Sequence, residues 1–209
     1  MKALGKWSIA SFLGMWLTVL WWLLWVAMLG VVLVTSYVAI SGNPVDDLMD
    51  VPIIFELTPS LYDITSDRLD VSGARITDAE GMLRFTSTNT LATLTYLGLA
   101  LAYFSVLVVV IYQLRKIFRS LAGGTPFSLE NASRIRLIGL FVIFGELAES
   151  LVVFACQLYV KSAFLTSGLE IKAGVDLEIS AIFAGLVLLV IAEVFRLGAE
   201  LQEDRELTV

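Results

Sequence analysis

SIASFLGMWLTVLWWLLWVAMLGVVLVTSYVAI, residues 8–40, runs for 33 positions without a charged side chain. A bilayer core about 30 Å thick is crossed by roughly 20 apolar residues in a helix, so this run spans with length to spare. It is also too long for a cleaved leader, whose apolar region is about 7–15 residues. An uncleaved, tilted helix that continues past the lipid is expected. Three more runs are long and apolar enough to span: Leu91 to Gln113, Leu137 to Val160 and Ile179 to Phe195. The reading is an all-α integral membrane protein, with four transmembrane helices forming a bundle as one domain over residues 1–209. The helices are expected at about 8–40, 91–122, 128–160 and 179–200.

Composition points the same way. The chain is 58% hydrophobic and 16% charged, with a mean hydropathy of +0.86, whereas soluble domains are about 45–50% apolar. The net charge of −6 carries little meaning, because the two signs are separated along the chain. Cys156 is the single cysteine, which excludes a disulfide framework and a cysteine-based metal site. Histidine is absent, removing the commonest metal ligand and general base. No phosphate loop or nucleophile motif is visible. Neither an enzyme nor a cofactor nor a metal is expected.

Orientation follows from Lys and Arg. Between the second and third runs lie Arg115, Lys116, Arg119, Arg134 and Arg136 against one acid, Glu130, and Lys2 and Lys6 add to the amino end. This basic hairpin, with its turn at 123–127, is expected inside a cell (plasma or inner) membrane, with both termini and the tail 201–209 cytoplasmic. Loops 41–89 and 161–178 then face out, the first carrying nine acids from Asp46 to Glu80. Val51–Leu57 is β-prone, and Leu69–Ser72, Leu83–Thr86, Leu169–Lys172 and Val175–Glu178 alternate apolar with polar. Gly73 and Gly81 punctuate them. Because an isolated hairpin is marginal, a small extracytoplasmic β-subdomain built from both outer loops is expected.

The hairpin is the most legible segment. Leu114, Ile117, Phe118 and Leu121 share one helical face and Arg115, Lys116 and Arg119 the other. Gly123 and Gly124 end that helix through a left-handed glycine, and Ser128 caps the next, with Glu130 near its positive end. A DNA-binding helix-turn-helix has this outline, but both helices continue into the membrane, so direct nucleic-acid binding is not expected. Two readings remain. The arginines either touch lipid phosphates or dock a cytoplasmic protein through Arg115, Lys116, Arg119, Phe127, Glu130 and Asn131, with Leu201 and Leu207 from the acidic tail.

Three acids interrupt the apolar runs, and intramembrane carboxylates are functional candidates by default. Glu146 and Glu149 share a helix face and form an intramembrane polar site, either a proton or cation site or a protonated, hydrogen-bonded pair. Counting the helical rise places Glu146 near mid-membrane. Glu193 lies closer to the inner boundary, as an interfacial ion-pair partner of Arg196 or Arg119. Trp7 suits an interfacial belt, whereas Trp16, Trp21, Trp22 and Trp25 fall deeper and are expected to pack the bundle. Gly98-x-x-x-Ala102 is a weak packing signal.

Leu114-Arg-Lys-Ile-Phe-Arg-Ser-Leu121, followed by Pro126-Phe127 and Glu130-Asn131, resembles the hairpin of an uncharacterised prokaryotic family, domain of unknown function 2975. Phe195-Arg-Leu-Gly198-Ala-Glu-Leu201 and Asp204-Arg-Glu-Leu-Thr-Val209 look like its closing signature, except that Glu206 stands where the family usually has Asp. By topology the resemblance covers the whole chain. It implies a four-helix prokaryotic membrane protein, many of whose relatives are thought to act beside a small helix-turn-helix regulator.

The functional expectation is a membrane-embedded binding and signalling protein of unknown ligand that regulates or sequesters a cytoplasmic partner, such as a small helix-turn-helix transcription regulator. The alternative is a small proton- or cation-coupled transporter or channel using Glu146 and Glu149. The expected surroundings are the lipid bilayer and that protein partner, and a homo-oligomer is compatible with the sequence.

Overall fold

The computed structural model describes residues 9–43, 49–58, 76–164 and 168–207, with backbone alone at 9–10 and 205–207. Trp7, the expected strand Leu69–Ser72 and Gly73 lie outside the described residues. In chain order the elements are α1 (Ile9–Ser41), β1 (Met49–Leu57), β2 (Ala79–Phe85), α2 (Thr90–Ala122), α3 (Leu129–Ala163), β3 (Leu169–Lys172) and α4 (Ile179–Leu207). All four helices are long and apolar enough to cross a membrane. Leu33, Phe144 and Val190 are among many large apolar side chains more than 60% exposed on them, a surface that suits lipid and not water.

The chain forms two compact units, both discontinuous: residues 1–43, 89–146 and 178–209 in the first, 44–88 and 147–177 in the second. In the first unit, α2 starts where Asn89 Oδ1 accepts the N–H groups of Leu91 and Ala92, satisfying two of the donors a helix start leaves open. It ends with Thr125 N–H on Ser120 O and Gly124 N–H on Leu121 O, the paired bonds of a Schellman cap. Gly124 takes the left-handed conformation at φ +84°, while Gly123 stays right-handed at φ −76°. Ser128 Oγ then accepts Asn131 N–H at 3.1 Å, opening α3.

α1 packs along α2, with Gly14 under Phe118, Thr18 beside Arg115 and Trp21 beside Tyr112. Ile117, Ile135, Ile138 and Ala192 form the core of the α2, α3 and α4 cluster. The backbones of α3 and α4 approach closely at two glycines. A Cβ on Gly139 would lie 2.9 Å from Gly185 O, and one on Gly185 would lie 2.5 Å from Ile143 Cγ1. Gly98 has nothing within 4 Å and Ala102 is exposed, so the expected small-residue packing signal marks no close helix contact among the described residues. Of the tryptophans expected to pack the bundle, Trp21 is half-buried, but Trp16, Trp22 and Trp25 are 57%, 61% and 41% exposed. They project from the faces of α1 that α2 does not cover.

The second unit is a three-stranded antiparallel sheet in the order β2-β1-β3, drawn from both loops, packed with residues of α3. Val51, Ile53 and Ile171 on the sheet bury against Val160 of α3, and Phe85 meets Phe164 edge-on at 5.2 Å. β3 pairs with β1 only over Ile54–Leu57. Pro52, which has no N–H to give a ladder, therefore sits beyond that pairing, and its carbonyl accepts from Gln157 Nε2. Gly81 does not punctuate: it lies within β2 opposite Ile53, where a Cβ would press on the Phe55 ring at 3.0 Å. Val175–Glu178 is not a strand. The Asp176 carbonyl accepts from Ser150 Oγ, and Glu178 serves the start of α4, its carbonyl accepting from Ala181 N–H.

Residues 201–207, expected as tail, continue α4 through Leu207. The segment holds no glycine or proline, and Glu200 pairs with Arg196 one turn earlier.

Candidate functional site

The α2–α3 turn is braced from within by Asn131. Asn131 is fully buried, and its Nδ2 donates to Ser120 Oγ at 2.9 Å and to Pro126 O at 3.0 Å. Its Oδ1 accepts from Arg134 Nη1 at 2.9 Å, and Arg134 also holds Glu130. A buried amide with its donors and acceptor used fixes a unique local geometry. Phe127 is then directed at α4, meeting the Phe195 ring at a tilt of 49° with 5.3 Å between ring centres. It sits over Gly198, where a Cβ would lie 2.7 Å from its ring.

This arrangement leaves a groove of about 510 Å³. Its lining includes Thr125, Phe127, Leu129 and Glu130 from the turn side and Ala199, Gln202 and Glu203 from α4. Phe127 and Leu129 are 44% and 53% exposed, and Leu201 is 66% exposed. The charged rim is formed by Glu130, Arg134 and Glu203.

The expected docking residues divide accordingly. Phe127 and Glu130 line the groove, and Leu201 is exposed on α4. Asn131 is turned inward to hold the turn, and Arg115 is buried against α1 at 8% exposure, so neither presents a surface. Lys116 lies over the Tyr112 ring at 4.6 Å, and Arg119 is exposed near the end of α2. The Leu207 side chain lies outside the described residues.

Glu193 binds Arg196 through both carboxylate oxygens and lies 3.5 Å from Arg136 on α3. Arg136 thus takes the place expected of Arg119. Glu146 of α3 meets the start of α4: its Oε1 accepts Glu178 N–H at 2.8 Å, just before Ile179. Glu149, one turn further along α3, is exposed. Among the described residues no group of three or more Cys, Asp and Glu could hold a metal ion.

On the sheet, Arg84 grips Asp50 at 2.7 and 3.0 Å across the β1–β2 pair, and this bond holds the Asp50 carboxyl below its ordinary value of 3.8. Lys172 bridges Glu56 and Asp78, each at 3.0 Å. Hydrogen bonds to those two carboxylates raise its ammonium above the ordinary 10.5.

A family model described as a protein of unknown function (DUF2975) matches residues 68–209, more than half of the chain. The chain belongs to the DUF2975 family. The DUF2975 match takes in α2, α3 and α4, and with them every residue of the groove; α1 and β1 precede it. No curated protein and no solved structure matches the chain.

Sequence reading missed Gly139, Gly185 and Gly198, because only their helix neighbours reveal that a side chain there would collide. The Arg115–Trp21 contact joins residues 94 positions apart on two helices. The available signal for it was that both residues lie on acid-free helices.

Proposed function

We propose that this DUF2975 protein is a membrane-embedded binding and signalling protein whose α2–α3 turn and α4 end hold a cytoplasmic protein partner. The observation that carries the reading is the groove between them. It has an apolar wall of Phe127 and Leu129 and a charged rim of Glu130, Arg134 and Glu203, with Leu201 exposed on the same helix end. Apolar anchors within a polar rim are the anatomy of a docking face. Isolated exposed ion pairs contribute only about 0–1 kcal/mol, so the apolar side chains supply the affinity.

Insertion in a prokaryotic cell membrane with both termini and the α2–α3 turn inside rests on the four apolar helices and on the basic residues around that turn. The sheet of β1, β2 and β3 then lies outside, where it or the bundle senses a ligand. A small helix-turn-helix regulator is the partner class that the family resemblance favours. Ion transport through Glu146 and Glu149 has less support, since Glu146 is engaged with the backbone at the start of α4.

Leu201→Asp and Glu203→Lys change exposed positions and should leave insertion intact. Each is expected to release the partner that co-purifies with wild type. Retention of that partner by both variants would place docking elsewhere.

A further inference from the structure

We propose that Arg115, enclosed between α1 and α2, binds the phosphate of an anionic membrane lipid. Arg115 is 8% exposed. Its Nε donates to Thr18 Oγ1 at 3.2 Å, and its guanidinium carbon lies 4.5 Å from the centre of the Trp21 ring. A guanidinium has five N–H donors, and among the described residues the bond from Nε to Thr18 is the one hydrogen bond that Arg115 makes. Trp21 Nε1, on the ring beneath it, is the one buried side-chain nitrogen or oxygen without a hydrogen-bond partner among the described residues.

Among the described residues no carboxylate forms an ion pair with Arg115. Neither α1 nor α2 carries a single acid, and α2 adds Lys116 and Arg119 to the cluster. On α3, Glu130 is taken by Arg134. On α4, Glu193 is taken by Arg196 and Arg136, and Glu200 by Arg196. A desolvated cation with no counter-charge is costly and recruits an anion. The planar fork of a guanidinium matches phosphate oxygens in pairs, and the indole against its face limits how that fork can turn.

The position selects the source of the phosphate. Arg115, Lys116 and Arg119 close the uncharged stretch of α2 from Leu91 to Leu114, where a membrane-spanning helix meets headgroups. A lipid phosphate reaches that depth with its chains in the bilayer; a soluble phosphate must leave water to do so. The inference rests on the membrane reading and is independent of the docking groove.

The test is the melting midpoint of the full chain purified in a neutral detergent, titrated with short-chain phosphatidylglycerol, phosphatidylcholine or inorganic phosphate. Phosphatidylglycerol is expected to raise the midpoint and phosphatidylcholine to leave it in place. Arg115→Gln should weaken half-saturation about tenfold or more, the loss of a charge-assisted hydrogen bond, while Lys161→Gln on α3 keeps the wild-type response. Should Arg115→Gln fail to fold, Arg115→Lys, which keeps the charge but loses the planar fork, decides the matter: a weakened response is expected, and an undiminished one overturns the proposal. So does an undiminished response in folded Arg115→Gln. A rise produced equally by inorganic phosphate overturns the lipid as the source.

Discussion

Replacing Gly185 by Ala should loosen α3 from α4, and the size of the effect can be worked from the contact. The new Cβ would stand 2.5 Å from Ile143 Cγ1 and 3.0 Å from the Gly139 carbonyl oxygen. Ile143 can turn aside, but the carbonyl moves only with its helix. Overpacking of this kind costs up to about 3 kcal/mol, and the helix preference of Ala over Gly returns about 1 kcal/mol. A net loss of about 2 kcal/mol follows from those two values. The contrasting case is Gly98→Ala, where the Cβ meets nothing within 4 Å, so stability should hold or rise by up to about 1 kcal/mol. Both are read by reversible unfolding in mixed detergent micelles, followed through tryptophan fluorescence. Ile143→Ala combined with Gly185→Ala should lose less than the sum of the single variants, because the two residues share one contact. A Gly185→Ala protein as stable as wild type would refute the close approach of α3 to α4, and with it the packing that directs α4 toward the Phe127 side of the groove.

Glu146→Ala should destabilise the start of α4 by about 0.5–2 kcal/mol, the usual cost of losing a helix cap, with Gln closer to wild type; the same unfolding assay reads it, and a change in proteoliposome ion flux in the Gln variant would instead favour transport. Amide protection factors of β1 and β2, corrected for the intrinsic exchange rate at each pH, should be steady near neutral pH and change at both extremes. The Asp50 contribution is present above its unfolded value of 3.8 and is lost as pH falls through its lowered folded value. The Lys172 contribution is complete below its unfolded 10.5 and is lost as pH rises through its raised folded value; protection that falls on going from pH 5 to pH 8 would contradict both. In a Cys156→Ala background, an impermeant thiol reagent applied to intact cells should label Thr58→Cys and Glu170→Cys but not Ser133→Cys, and labelling of Ser133→Cys would reverse the topology.

The helices were legible because four long apolar runs admit one reading, and the expected ends of α2 agree with the structure within a residue. The strand in Leu169–Lys172 was legible from alternation over four residues, with Ile171 turned inward. The same alternation misled at Val175–Glu178, where the backbone serves Ser150 and α4 in place of a neighbouring strand. Arg115 and Asn131 were grouped with exposed docking residues because charge and polarity suggest surface. Burial of either depends on partners that composition does not display: Thr18 and Trp21 for one, Ser120 and Pro126 for the other. The groove itself was beyond sequence reading, since it exists only where the α2–α3 turn faces residues 199–203 of α4.

The docking claim is tested most directly by site-specific photocrosslinking in intact cells, with a benzophenone side chain placed at Gln202 or at Glu170. The account predicts one discrete protein adduct from Gln202, absent from Glu170 and lost when Leu201→Asp is added. No adduct from Gln202, or the same adduct from both positions, would contradict it.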